Sequence, residues 1–314
     1  MDKPLLSICI PTFNRCEQLK ETIEAIISER AFLDGRVEIV ISDNASEDNT
    51  EAVGRFFDSS FENIHYYRNN HNIRDENFPT VLGRARGVLR KLNNDTFKPL
   101  PGALDYICEI IEKYKDKRPL LFFANGNKPE INENIMPFHE FVEKAGYWVT
   151  WIAAFSIWEN DCSGIADDTY GAELLLWQVR KTYELGSKKN ACVIIDKPIG
   201  KIVILKKKDV SYGLYKVFYQ NYITLLKPYV EKNAISTTEF EAIRKDLLYN
   251  FFTDWIIKWE IRDKRLRYSD KESLKEKVFE EYRTTPYWRA FLKYYQKKKL
   301  KRYINSLVKR IFGR

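Results

Sequence analysis

Cysteine and histidine are scarce in this 314-residue chain, with five of one and three of the other. Cys9, Cys16, Cys108, Cys162 and Cys192 are scattered, odd in number and never spaced as CxxC. That excludes a disulfide framework and a zinc-finger site, and it predicts a reducing compartment. His65, His71 and His139 form no metal-spaced cluster. No apolar run approaches the ~18 residues needed to span a bilayer. The longest, Tyr147–Trp158, contains Thr150 and Ser156 and reads as a buried strand. Met1-Asp2-Lys3-Pro4 leads straight into a strand pattern, so no signal peptide is expected. Acids are missing from one end. Tyr282 to Arg314 carries eleven Lys/Arg and no Asp/Glu, leaving 41 basic against 44 acidic residues elsewhere. The net charge of +8 therefore belongs to the tail, the remainder being −3. No groove-reading motif accompanies that charge, so nucleic acid is not an expected partner.

What is present is an apolar content of 44%, enough for a sizeable core, and a repeating strand-then-helix pattern. Leu6–Ile10 and Val37–Ile41 are short apolar runs, each followed by polar turn residues and a helical pattern over about Glu17–Ser28 and Glu47–Phe57. That is a β-α-β-α unit with a parallel sheet. Further strands are predicted at Ile64–Tyr67, Val88–Leu92, Leu120–Ala124 and Ala191–Ile195, and helices over Asn77–Arg86, Pro101–Tyr114 and Thr169–Leu185. From about residue 210 the pattern becomes helical and aromatic, over Leu214–Val230, Thr238–Trp259, Lys271–Tyr282 and Pro286–Phe312. The expected organisation is one α/β domain over 1–209 and a helical module over 210–314. In open α/β sheets ligands bind beyond the carboxyl ends of the strands. Pro11-Thr12-Phe13-Asn14-Arg15 and Asp43-Asn44 fall on that edge, with Arg15 suited to a phosphate and Asp43 to a base N–H or a ribose hydroxyl.

IPTFNR followed by VISDNASEDNT resembles the N-terminal half of family 2 glycosyltransferases of GT-A fold. Arg68-Asn69-Asn70-His71-Asn72-Ile73 is similar to that family's RNxxNxG loop, and Lys98 to Leu104 to its LLPGAL helix start. The likeness is specific over roughly the first 125 residues, the expected donor half, with 126–209 as the acceptor half. It implies a Rossmann-like, mostly parallel sheet and a nucleotide-sugar donor, most simply a UDP-sugar, held by Pro11–Arg15, Asp43, Asn44, Arg74 and Asn94. It also implies inverting transfer to an acceptor hydroxyl. Gly102 lies fifteen positions after Gly87, which places the family's acidic triplet on Asp95-Thr96-Phe97. Only Asp95 keeps a carboxylate. A divalent cation (Mn or Mg) at Asp95 is one reading; replacement of the ion by Arg74, Arg84 or Arg86 is the other. The acidic run Glu159–Asp168 lies where the family draws its base, giving Asp168 first, then Asp161 and Asp167, with Glu173 next.

The last helix keeps Leu300, Ile304, Leu307/Val308 and Ile311 at helical spacing, with Lys298, Lys301, Arg302, Lys309 and Arg310 at other positions. A basic amphipathic helix reads as a membrane-surface element. With the family resemblance, this predicts a cytoplasmic protein at the inner face of the cell membrane, acting on a lipid-linked glycan in capsule or O-antigen synthesis. The rival reading, motivated by the broken triplet, is a non-catalytic nucleotide-sugar-binding partner of a membrane glycosyltransferase complex.

Overall fold

The apolar runs of the N-terminal half are buried on both faces, as strands in the middle of a helix-covered parallel sheet must be. The computed structural model of the protein describes residues 3–128, 131, 133–203, 212–261 and 268–312. The chain divides into two compact units, Met1–Leu205 and Lys206–Arg314. The boundary expected at 209/210 lies outside the described residues.

In the first unit β1 (Leu6–Thr12), β2 (Val37–Asp43), β3 (Ile64–Arg68) and β4 (Leu89–Leu92) run parallel, and β7 (Ser156–Trp158) joins β4 antiparallel. The strand order is β3-β2-β1-β4-β7, a mostly parallel sheet as expected. Helices α1 (Cys16–Ile27), α2 (Arg30–Leu33), α3 (Thr50–Ser60), α4 (Asn77–Arg84) and α5 (Ala103–Tyr114) come from the connections, and α6 (Phe138–Ala145) and α7 (Trp177–Lys189) follow. Two small ladders complete the unit: β5 (Phe97–Pro99) with β9 (Gly200–Ile202), and β6 (Leu120–Phe123) with β8 (Cys192–Ile195). The core runs from Leu6, Ile8 and Ile10 through Val37, Ile39 and Ile41 to Ile23 of α1 and Ile107 and Ile111 of α5.

Two sequence expectations need correction. Tyr147–Trp158 is a strand only in its last three residues. Gly146–Thr150 and Ile152–Ala154 are 3-10 turns. Gly146 has φ +55°, the Thr150 hydroxyl closes the first turn onto the Tyr147 carbonyl, and the Ala153-Ala154 pair has little preference for a pleated strand. The helix expected from Thr169 begins only at Trp177, because Gly171 and Leu175 sit at φ +90° and +56°, in the left-handed region.

The second unit is helical: α8 (Tyr222–Glu231), α9 (Thr237–Asp246), α10 (Thr253–Glu260), α11 (Leu274–Tyr282) and α12 (Trp288–Phe312). Ser236 and Glu239 form a reciprocal capping box at the start of α9. Two segments, Lys216–Asn221 and Leu247–Phe252, are π-helical and pack on one another through Phe218–Phe251 and Tyr219–Phe252. In α12, Phe291 and Tyr295 are buried, whereas Leu300, Ile304 and Leu307 are 61%, 49% and 37% exposed. The tail's charge is less free than the sequence suggests. Lys298 and Arg302 pair with Asp254, and Lys299 with Glu260. The side chains of Lys309, Arg310 and Ile311 lie outside the described residues.

Candidate active site

Strand order decides where a ligand can enter. The chain winds from β1 outward through β2 to β3, then crosses to the other side of β1 to form β4. The topological switch point is therefore between β1 and β4, and the crevice opens beyond their carboxyl ends. Three polar side chains meet there. Arg15 donates to Asp95 at 2.8 Å, and the Thr12 hydroxyl donates to the other oxygen of Asp95 at 3.0 Å. Asp95 is almost wholly buried while Arg15 is about one-third exposed, so the pair presents its cation to the crevice. Burial raises the Asp95 pKa, and the Arg15 charge and the hydrogen bonds pull against that rise. Beside it the Asn94 side-chain oxygen is buried without a hydrogen-bond partner in the structure.

The neighbouring loops are tied to one another rather than hanging free. Asn14, at φ +52°, donates its N–H to the Ser46 hydroxyl oxygen, and its side-chain oxygen accepts from the Glu47 N–H at 2.7 Å. Asp43 ends β2 fully buried; one oxygen accepts from the Ser46 N–H at 2.9 Å and the other from the Tyr66 hydroxyl at 2.6 Å. Burial and that carboxylate push the Tyr66 pKa up, so the phenol stays a donor. An ionised carboxylate has about four acceptor sites, so Asp43 retains capacity for a further donor. Asn44 braces the loop after β3: its amide donates to Asn72, and its oxygen accepts from the Ile73 N–H. Pro11 lies within β1, and Phe13 is exposed beyond it. Arg74 is exposed on the same edge at φ +52°. Arg84 reaches the edge from α4, donating to the Ser42 hydroxyl and the Asn69 side chain and lying 4.9 Å from the Tyr67 ring centroid. Arg86 does not belong to this group. Its N–H and guanidinium bind Glu38, at the opposite end of the strands.

The carboxylates expected to act as base are not brought to this crevice. Trp158 pairs with Leu89 and the Glu159 N–H donates to the Val88 carbonyl, so the chain leaves β7 at the amino-terminal edge of the sheet. Asp161 follows there and pairs with Lys189 at 2.9 Å. Asp167 is exposed in a 3-10 turn that packs on α4. Asp168 is clamped by Arg180 and Lys181, the latter at 2.9 Å. Burial raises its pKa, but those two cations outweigh it and hold the carboxyl below its ordinary range, which suits an ion pair and not a proton acceptor. The turn Ala172–Leu174 does return to the carboxyl edge, where it packs against Arg74–Glu76. It carries exposed Glu173, whose carboxylate accepts from the Gly171 N–H. Opposite lies Asp75, whose pKa burial raises to about 7 against the pull of Arg74. The side chain keeps partial solvent exposure although protein surrounds it on most sides. Asp75 was absent from the sequence expectations. Its only sequence signal is its place in the loop after a parallel strand.

The donor set offers a divalent cation one carboxylate, Asp95, and the unpartnered Asn94 oxygen. Hard cations need several oxygen ligands, and both Asp95 oxygens are already engaged by Arg15 and Thr12. Among the described residues no group of three His, Cys, Asp or Glu could hold a metal ion. Positive charge at this edge comes instead from Arg15, Arg68, Arg74 and Arg84.

Residues 7–87 match the model of glycosyl transferase family 2. Abequosyltransferase RfbV of Salmonella typhimurium is 42% identical over 86 residues, 26% of this chain and 25% of that protein. The match thus spans about a quarter of the length of the curated relatives. Staphylococcus aureus TarS 1–349, in complex with UDP, superposes with a TM-score of 0.57 over 92% of this chain and 79% of that one, at 13% identity. Mannosyltransferase PcManGT from Pyrobaculum calidifontis, in complex with GDP-Man and Mn²⁺, gives 0.55 over 95% and 87%, at 11% identity. At such identities the structural likeness establishes the GT-A fold.

Proposed function

With residues 7–87 belonging to glycosyltransferase family 2 on a GT-A fold, we propose that the protein transfers a sugar from a nucleotide-sugar donor, a UDP-sugar, to an acceptor hydroxyl with inversion. One observation carries this reading: Thr12, Arg15 and Asp95 converge at the switch point between β1 and β4, inside or next to the family-matched segment. Asp43 and the Pro11–Arg15 loop take the nucleoside side of the donor. Arg15 and Arg74 face the diphosphate and, with Arg84 behind them, offset the charge that develops on it as the anomeric C–O bond breaks. A carboxylate takes the acceptor proton while the acceptor oxygen attacks the anomeric carbon in line. Asp75, poised near neutrality at the carboxyl edge, is the base; Glu173 is second. The abequosyltransferase relative supports a surface-polysaccharide acceptor of the O-antigen or capsule kind.

The acceptor is lipid-linked, and α12 brings the enzyme to the cytoplasmic membrane surface. No described helix is long and apolar enough to cross a membrane. The exposed row Leu300, Ile304 and Leu307 beside exposed Lys301 supports the role given to α12.

The test is a screen of nucleotide sugars for hydrolysis and transfer, in Mn²⁺ and in EDTA, with donor binding followed by calorimetry. A UDP-sugar is expected to turn over in both buffers, and Arg15→Ala to lower turnover at least tenfold. Activity that EDTA abolishes would put a metal back at Asp95. Binding of the donor with no turnover would select the second reading, a non-catalytic nucleotide-sugar-binding partner, which the engaged Asp95 carboxylate favours.

A further inference from the structure

The helical unit contains a cleft of its own, far larger than the ≈ 10 Å³ void beside Lys91 in the first unit. Its volume is about 460 Å³, within the roughly 300–1,000 Å³ of small-molecule sites. It is lined by Tyr215, Tyr219, Gln220, Lys227, Arg244 and Glu281, over an apolar floor of Ile223 and Phe240. The π-helical stretch Lys216–Asn221 carries two of these residues. π-turns cost hydrogen-bond geometry relative to an α-helix and occur mostly at functional sites. Here the extra residue per turn turns Tyr219 inward against Phe252 and leaves Gln220 exposed at the rim.

The polar groups are organised around one carboxylate. Glu281 accepts from the hydroxyls of Tyr215 and Tyr219, and from Arg244 at 3.3 Å. Arg244 also binds Glu241 at 2.6 Å. The two tyrosine rings stack at 5.3 Å with an interplanar angle of 15°. Lys227 and Arg244 stand against Glu281 in the lining and against Glu241 and Glu280 beside it, so the cleft has no excess of positive charge to attract a phosphate or a nucleotide. What remains is aromatic and aliphatic surface interleaved with donors (Gln220, Lys227, Arg244) and acceptors (Glu281, the tyrosine oxygens). That combination matches a molecule with apolar C–H faces and hydroxyls on its edges.

The geometry points to a saccharide-binding site in the helical unit: the cleft takes one or two neutral pyranose residues, those of the acceptor glycan. The ligand class follows from the cleft itself; its assignment to the acceptor rests on the glycosyl-transfer reading above. The role assigned to it is acceptor affinity and not the chemical step.

The experiment uses the full chain and the methyl pyranosides of glucose, galactose, mannose, rhamnose and N-acetylglucosamine, read by saturation-transfer NMR, with inorganic phosphate as the anionic control. The variant is Gln220→Ala/Lys227→Ala, both positions exposed, so folding is not at risk. UDP affinity is measured on both proteins. At least one glycoside is expected to bind, and the variant to weaken it about tenfold (on the order of 1.4 kcal/mol) with UDP affinity unchanged. Absence of saturation transfer from all five glycosides, equal binding by the variant, or phosphate binding that the variant removes would each overturn the proposal. Loss of UDP binding by the wild-type chain would count against the glycosyl-transfer reading alone and leave the cleft's result standing.

Discussion

At the amino-terminal edge of the parallel sheet Glu38 is buried, and its carboxylate accepts from the Ser7 hydroxyl at 2.6 Å, the Arg86 N–H at 2.6 Å and the Gly87 N–H at 3.2 Å. At the carboxyl edge Asp95 is equally buried, but its strongest partner is the part-exposed Arg15, and an orphaned Asn94 oxygen lies beside it. Both are acids at strand ends in one sheet. Glu38 is satisfied by groups that cannot leave, mostly backbone and hydroxyl donors. Asp95 is satisfied by a side chain that can turn toward a ligand. The difference separates a carboxylate that closes the fold from one placed where the fold is left open for chemistry.

The largest effect expected from this contrast is on turnover. Asp75→Asn removes a carboxylate from the carboxyl edge and should lower kcat about 10²–10⁴-fold, with donor affinity retained. Asp161→Asn, at the amino-terminal edge, should leave kcat near wild type. Because the Asp75 pKa is raised to about 7, and a base acts as the carboxylate, the wild-type rate should fall as pH drops through about 7. Asp75→Asn should lose that limb. Wild-type turnover in Asp75→Asn would pass the role to Glu173, on the turn that packs against Arg74–Glu76.

The next effect is on stability. Glu38→Ala leaves the Ser7 hydroxyl and the Arg86 N–H without their acceptor, while the Gly87 N–H keeps the Ser7 oxygen at 2.7 Å. Unpaired buried donors cost about 1–3 kcal/mol each, so a loss of roughly 2 kcal/mol or more is expected in urea unfolding. UDP affinity of the folded protein should not change. A loss of UDP affinity at native conditions would mean that the two edges are not independent.

Much of this was legible in the sequence, and the reasons are physical. Leu6–Ile10 and Val37–Ile41 read as strands because burial on both faces favours mostly apolar runs; each is broken once, by Ser7 and Glu38, which bond each other. The polar residues after them had to land on one edge. Asp95 was found by counting from Gly87 to Gly102, but its pairing with Arg15 depends on how two loops fold against each other across 80 residues, which no local pattern encodes. The place of the acids expected as base was hidden for a similar reason. An antiparallel strand reverses the chain, so β7 delivers Asp161 to the amino-terminal edge, and strand direction is invisible in three residues. The raised pKa of Asp75 was not legible, because the surroundings that bury it include the distant turn Ala172–Leu174. The basic tail was visible, but its pairing with Asp254 and Glu260 was not.

The smallest predicted effect concerns Lys91, which lies in β4 between the two edges. Its amine is buried, donates to the carbonyls of Ala153 and Leu92, and stands 5.8 Å and 5.5 Å from the ring centroids of Phe97 and Phe123. Burial lowers its pKa to about 7. An unfolded lysine keeps its proton to about pH 10.4. Between these values the unfolded chain binds more protons than the folded one, so stability rises with pH. The rise should be about 1 kcal/mol per pH unit above pH 7. Lys91→Met fills similar space without a charge to desolvate, and should flatten that slope while stabilising the protein most at and below pH 7. Urea unfolding of both proteins at pH 6.5, 7.5 and 8.5 measures it. Parallel slopes in the two proteins would mean that Lys91 stays protonated in the fold, held by its two carbonyls and the flanking rings. The middle of the sheet would then tolerate an unpaired cation just as its carboxyl edge holds one out toward a ligand.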